Sequence, residues 1–212
     1  RTEVRRDELS HQPVRIPMAP LLEETFPEVE AFVRFTGGRD VYFAVGEKML
    51  PGAHFMPDEQ VFEVFDFDLK WGDPNSALDG LNDIVLSAEM AEKFFGDENP
   101  IGKTLTRKSR DPEDFIVTGV LYSLPANSSI QFDFLTSHKR DARFYRKYGG
   151  YAWNVYTITQ TFVLLNDPEQ RENLEAKSPF IVEKIHRDGA RTKAGKREFS
   201  IHFQPLRDMH LN

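Results

Sequence analysis

The sequence predicts an α+β fold. Short stretches of strand type outnumber helical ones, the two kinds intermix along the chain, and β-α-β pieces stand at both ends of a strand-rich middle. The 212 residues suffice for one large domain or two small subdomains with a sizeable core. With 40% hydrophobic and 12% aromatic residues, the chain has the composition of a packed protein rather than a disordered or fibrous one.

The elements follow in order. Arg1 to Leu9 is charged with scattered apolar residues, as in a strand cut short by a fragment boundary. Pro17 to Phe26 predicts a short helix, with Pro20 near its start, Leu21 and Leu22 on its apolar face, and Pro27 as its stop. Val29 to Phe35 alternates as a half-buried strand, and Val41 to Val45 reads as a second strand entered through a Gly37-Gly38 turn. Val61, Phe62 and Phe65 stand at helical spacing, and Gly72 to Asn75 is a turn. Ile84 to Leu86 is a short buried strand. Ser87 then caps a helix whose apolar face is Met90, Ala91, Phe94 and Phe95, ended by Gly96.

Thr104 to Lys108 and Phe115 to Leu121 predict a strand pair, and Leu124 to Ser129 a loop. Tyr156 to Leu165 reads as a strand. Asn166-Asp167-Pro168 then starts a helix, with Asp167 as cap and Gln170 reaching back. Leu174, Ile181, Val182 and Ile185 continue it, and Ser178-Pro179 predicts a kink or two pieces. Phe199 to Phe203 alternates as a final strand.

Composition narrows the function. The longest apolar run, Val41–Val45, is far below the ~20 residues of a membrane span. Zero Cys excludes disulfides and thiolate sites. A net charge of −7 and pI of about 5.4 argue against a nucleic-acid-binding surface. The charge is uneven: residues 1–106 hold 10 basic and 21 acidic side chains, and residues 107–212 hold 17 and 13.

No motif carries catalysis. Gly96 to Thr104 (GDENPIGKT) resembles a P-loop, but five residues separate Gly96 from Gly102, where the loop needs four. Asp97 and Glu98 would repel phosphate, and Pro100 removes an N–H donor. Asp66 and Asp68 would share a face only in a strand. Asp111, Glu113 and Asp114 cluster at a hairpin tip without the spacing of a Ca²⁺ loop. His11, His54, His138, His186, His202 and His210 lack zinc-site spacing, and Ser128 and Ser129 lie outside any nucleophile motif. The expectation is therefore no catalytic residue, no cofactor and no metal. Two basic stretches, 139–147 and 187–197, read as solvated faces, with an acidic partner or anionic lipid as the sharper alternative.

Four segments together resemble a known family. They are FPEVEAFVRF (Phe26–Phe35), VFEVFDFDLKWGDPNSAL (Val61–Leu78), IVLSAEMAEKFFGDENPIGKTL (Ile84–Leu105) and FIVTGVLYSLPANSSIQFDFL (Phe115–Leu135). In this order they resemble the periplasmic core domain of MacB-type ABC transporter permeases, whose membrane part is FtsX-like. The ending FQPLRDMHL (Phe203–Leu211) is similar to what precedes the second membrane span there, and PANSS (Pro125–Ser129) resembles permeases of the Bacteroidetes. The signature positions are Phe95, Gly96, Pro100, Ile101, Gly102, Gly119 and Val120, all read as structural.

The resemblance implies two lobes: an outer, porter-like lobe of residues 1–38 and 137–212, and an inserted, sabre-like lobe of residues 39–136. It implies membrane helices on either side of this segment, which begins at Arg1 rather than Met. It implies an extracytoplasmic location and an ATPase on a separate cytoplasmic subunit. The partners would be the chain's own membrane region, a second permease copy, and a periplasmic membrane-fusion protein or lipoprotein. The implied function is a non-catalytic relay of ATP-driven helix motion. The alternatives are an extracytoplasmic ligand-binding sensor, and a hydrolase using Asp66, Asp68 or the histidines.

Overall fold

In the structure, a computed structural model that describes residues 18–124, 130–139, 159–187 and 201–206, one long strand organises the chain. Helix α1 (Met18–Thr25) packs Met18, Ala19, Leu21 and Leu22 inward and precedes Pro27, which has no N–H with which to continue a helix. Strand β1 (Val29–Val45) follows, then β2 (Lys48–Pro57) and a single helical turn α2 (Val61–Val64). Strands β3 (Leu69–Gly72) and β4 (Asp83–Leu86) lead into α3 (Ala88–Phe95). Strands β5 (Thr104–Lys108), β6 (Glu113–Leu121), β7 (Phe134–Thr136) and β8 (Thr159–Leu165) follow. The chain then enters α4 (Arg171–Ala176) through a 3₁₀ turn at Pro168–Gln170, and continues into α5 (Ser178–Arg187). The fold is α+β.

Among the described residues the strands form one eight-stranded sheet in which β2, β7, β4, β6, β5 and β1 are successive neighbours. β1 also pairs with β2, so these strands close a ring; β3 attaches to β6, and β8 attaches to the first half of β1. Closure gives every ring strand a neighbour on each side.

The two strands expected at Val29–Phe35 and Val41–Val45 are one. Gly37 and Gly38 make no turn: they take φ of 115° and 87° and accommodate a register shift while β2 stays paired alongside. A side chain at Gly37 would stand 2.5 Å from the His54 carbonyl oxygen, so the close approach of β2 requires glycine there. β2 itself is absent from the sequence reading. Pro51, Gly52 and Pro57 interrupt its alternation, and pairing with β1 imposes the extended form on it. β3 and β7, four and three residues long, are likewise too short for a periodic signal.

Other expectations change in detail. The helical spacing of Val61, Phe62 and Phe65 yields only the single turn α2. Asp167 caps as expected, accepting from the Glu169 N–H at 2.9 Å, but the chain opens with a 3₁₀ turn and Gln170 donates its own backbone N–H to the Asp167 carbonyl. Ser178-Pro179 does divide the helix in two. Residues 201–205 form no strand. Phe203 is instead held by side chains of α4: its N–H donates to Glu175 at 2.8 Å and its carbonyl accepts from Arg171 at 3.2 Å. The expected first strand, Pro125–Ser129, the basic stretch from 140 on, residues 156–158 and Phe199 lie outside the described residues.

The apolar interior divides into three clusters. One joins Met18, Leu21, Leu22, Phe26 and Val29 to Leu174 and Ile181. A second is built around Phe43, Leu86, Leu105, Phe115 and Phe134. The third links Val33 and Phe35 to Val61, Phe65, Leu78, Leu121 and Leu135. Phe35 sits edge-on to Phe55, Phe65 and Phe162, with ring centroids 5.7 to 5.9 Å apart.

Candidate functional site

Charged side chains are seldom fully buried unless paired, and β1 buries one. Arg34 lies between Val33 and Phe35, all three nearly inaccessible to solvent. It meets Asp58, the residue just after β2, on three bonds. The Arg34 backbone N–H and its Nε each donate to Oδ2 at 2.8 Å, and Nη2 donates to Oδ1 at 2.6 Å. The Asp58 N–H returns a bond to the Arg34 carbonyl at 3.1 Å. His138, just beyond β7, places Nε2 3.4 Å from Arg34 Nη2 and 3.7 Å from Asp58 Oδ1. A polar seam continues outward: His54 Nε2 is 2.8 Å from Thr136 Oγ1 across the β2–β7 pair, and Lys139 reaches Glu59 and the Asp79 carbonyl at the surface.

This clasp joins β1, the end of β2 and the exit from β7. Its members are buried and bonded to one another, so they make a structural joint rather than a cleft that admits substrate. The sequence held one signal for it, a lone Arg inside the apolar run of β1. Its partners stand 24 and 104 residues away, beyond the reach of local pattern.

The signature residues are distributed around the α3–β5 connection and β6. Gly96 ends α3 with φ 64°, its N–H donating to the Glu92 carbonyl. Pro100 is buried and Ile101 exposed. The Gly102 N–H donates to the Val117 carbonyl at 2.8 Å, and the Lys103 N–H to the Pro100 carbonyl at 2.9 Å. These donors are thus spent within the fold and cannot cradle a phosphate. The Lys103 ammonium lies 5.0 Å over the Phe95 ring and pairs with Glu98, holding that carboxyl below its ordinary range. Gly119 and Val120 lie in β6 beside Val85 and Leu86 of β4. A side chain at Gly119 would meet Val85 Cγ2 at 3.1 Å.

The remaining candidates are separate. Asp66 and Asp68 are exposed. Glu113 pairs with Arg107, and Asp114 accepts from Thr106 Oγ1 at 2.7 Å. His54 and His138 are buried in different contacts and His202 is exposed. Among the described residues, no group of three or more His, Asp or Glu could hold a metal, and no helix is long and apolar enough to cross a membrane. A groove of ≈ 230 Å³ opens beside the start of α3, lined by Ser87, Glu89, Gln131 and Asp133 among others. Burial pushes the Asp133 carboxyl above its ordinary range, against the stabilising bond from the Ala53 N–H at 2.8 Å.

The sequence profile of the MacB-like periplasmic core domain matches residues 3–178. No curated protein matches the chain. Several solved structures share its fold, three of which follow. A domain of a protein described as a permease from Porphyromonas gingivalis is 24% identical, with a TM-score of 0.67 over 79% of this chain and 69% of that one. The periplasmic region of MacB from Actinobacillus actinomycetemcomitans is 19% identical, with a TM-score of 0.60 over 86% and 78%. The extracellular domain of the ABC-type transporter YknZ from Gram-positive bacteria is 15% identical, with a TM-score of 0.59 over 82% and 84%.

Proposed function

Because the chain belongs to the MacB-like periplasmic core domain family, we propose that it is the extracytoplasmic domain of an ABC transporter permease that transmits movement rather than catalysing a reaction. ATP hydrolysis by a cytoplasmic subunit shifts membrane helices, and this domain carries the shift to periplasmic cargo, a fusion protein or a lipoprotein. Its immediate partners are its own membrane-spanning region and a second permease copy. The proper location is the outer face of a bacterial inner membrane.

The observation that carries this reading is β1, which runs unbroken from Val29 to Val45. Its first half pairs with β8 and its second half with β2, while β5 joins the other side of Tyr42–Ala44. A strand paired along nearly its whole length resists bending, and close-packed rings such as Phe35 with Phe65 and Phe162 add stiffness. We assign residues 1–38 and 137–212 to an outer lobe and 39–136 to an inserted one. The cluster around Met18 and Ile181 uses residues of the outer segments alone, the cluster around Phe43 and Phe115 residues of 39–136 alone, and the third mixes the two. The Arg34–Asp58–His138 clasp would then bolt one lobe to the other. The signature residues shape turns and close approaches in the inserted lobe.

The test is a relay-breaking insertion in the whole permease with its ATPase. Two glycines placed between Gly37 and Gly38 should abolish transport and leave ATP hydrolysis running. Unchanged transport would refute the relay.

A further inference from the structure

The clasp holds one guanidinium, one carboxylate and one imidazole, and only the imidazole ordinarily changes charge near neutral pH. Arg34 Nη2 lies 2.6 Å from Asp58 Oδ1 and 3.4 Å from His138 Nε2. A guanidinium can only donate. The ring nitrogen that faces it therefore carries the lone pair, and His138 is neutral with its proton on Nδ1. Arg34 and Asp58 then balance, so the cluster buries no net charge.

Protonation would upset this balance. Nε2 would become a donor facing a donor. Its neighbouring acceptor is Asp58 Oδ1 at 3.7 Å, which Arg34 Nη2 already holds, while Oδ2 takes the Arg34 backbone N–H and Nε, both at 2.8 Å. The buried charge would rise by one unit, and one carboxylate does not neutralise two cations out of water. The charged groups on the surrounding elements give little relief among the described residues. Glu59 and Asp79 face Lys139 with side chains 51% and 61% exposed, where water screens them. His54 of β2 is engaged with Thr136 Oγ1 and supplies no negative charge.

We propose that His138 makes this joint acid-sensitive: neutral, it accepts from Arg34 and completes the clasp; protonated, it competes with Arg34 for Asp58 and loosens the hold of β1 on the end of β2. The position gives the change leverage. The β1–β2 ladder ends at Phe35 opposite Pro57, and the bond from the Asp58 N–H to the Arg34 carbonyl extends it by one residue. Acid therefore frays the ladder from this end. On the outer face of a membrane the joint meets the pH of the surroundings, and a slackened joint would transmit less movement. That last consequence rests on the relay reading; the acid sensitivity does not.

His138→Gln separates the two roles, because its amide oxygen can still accept from Arg34 while the side chain does not titrate. The fold holds the ring neutral and the unfolded chain does not, so the stabilisation is present above the ordinary histidine range and lost as pH falls. In thermal melts of the 212-residue chain, wild type should lose about 3–5 °C more than His138→Gln between pH 7.5 and 5.5, the linkage of one proton taken up on unfolding. Ring ¹⁵N spectra of wild type need no variant, and at pH 7.5 they should place the His138 proton on Nδ1. Neither readout involves transport, so the joint and the relay can fail separately. Parallel melting profiles, a smaller acid loss in wild type, or a proton on Nε2 at pH 7.5 overturns the proposal.

Discussion

Arg34 grips Asp58 through both its guanidinium and its backbone N–H, across 24 residues of chain and almost out of reach of solvent. Removing one partner leaves the other as a buried, uncompensated charge. Arg34→Met or Asp58→Asn should each lower stability by about 3–5 kcal/mol in urea titrations, and the paired change Arg34→Met with Asp58→Leu should recover much of it. Single variants indistinguishable from wild type would show that the clasp does not stabilise the fold.

Gly72 and Gly46 both have positive φ, but their surroundings differ. A side chain at Gly46 meets nothing within 4 Å, whereas at Gly72 it would stand 2.3 Å from the Thr118 carbonyl oxygen and 2.9 Å from Gly119 Cα. Gly46→Ala should cost about 1–2 kcal/mol, the conformational penalty alone. Gly72→Ala should cost clearly more, because β3 must move away from β6. Equal losses in denaturant would contradict the close β3–β6 approach.

Asp133 is held above its ordinary carboxyl range by burial. A carboxyl whose folded pKa is raised favours the fold below its unfolded pKa, and that advantage is lost as pH rises through the folded value. At neutral pH the ionised group is therefore a burden. Asp133→Asn, which keeps an acceptor for the Ala53 N–H, should melt higher than wild type at pH 7, with the gap shrinking in acid. A lower melting temperature at pH 7 would be the contrary result.

Glu28, just before β1, pairs with Lys177 at the α4–α5 junction, and the hydrogen bond from that ammonium lowers the Glu28 pKa. The sign is opposite to that of Asp133. The stabilisation is present above the ordinary Glu range and is lost as pH falls through the lowered folded value. Lys177→Met should melt below wild type at neutral pH and converge with it in acid. A gap independent of pH would assign the effect to packing instead.

Much of the local structure was legible in the chain. Ser87 accepts from the Met90 N–H as a helix cap, Gly96 closes that helix in a left-handed conformation, and Thr104–Lys108 pairs with the β6 strand, because each depends on neighbours in sequence. The signature segments likewise pointed to the family. β2 was not legible. Its prolines and glycine argue against a strand, and only hydrogen bonding to β1 makes it one. The Gly37-Gly38 pair carries the composition of a turn and serves as a bulge, since the choice depends on which chain lies alongside.

By itself the sequence determined the α+β class, the family and most helix ends, all products of short-range sterics and apolar period. Tertiary structure alone decided that two strands are one and that the ring closes. It alone decided that Arg34 meets Asp58 and His138. These are relations between segments tens of residues apart. No local energy selects them, because they arise only when pairing and burial across the whole chain offset the entropy of bringing distant segments together.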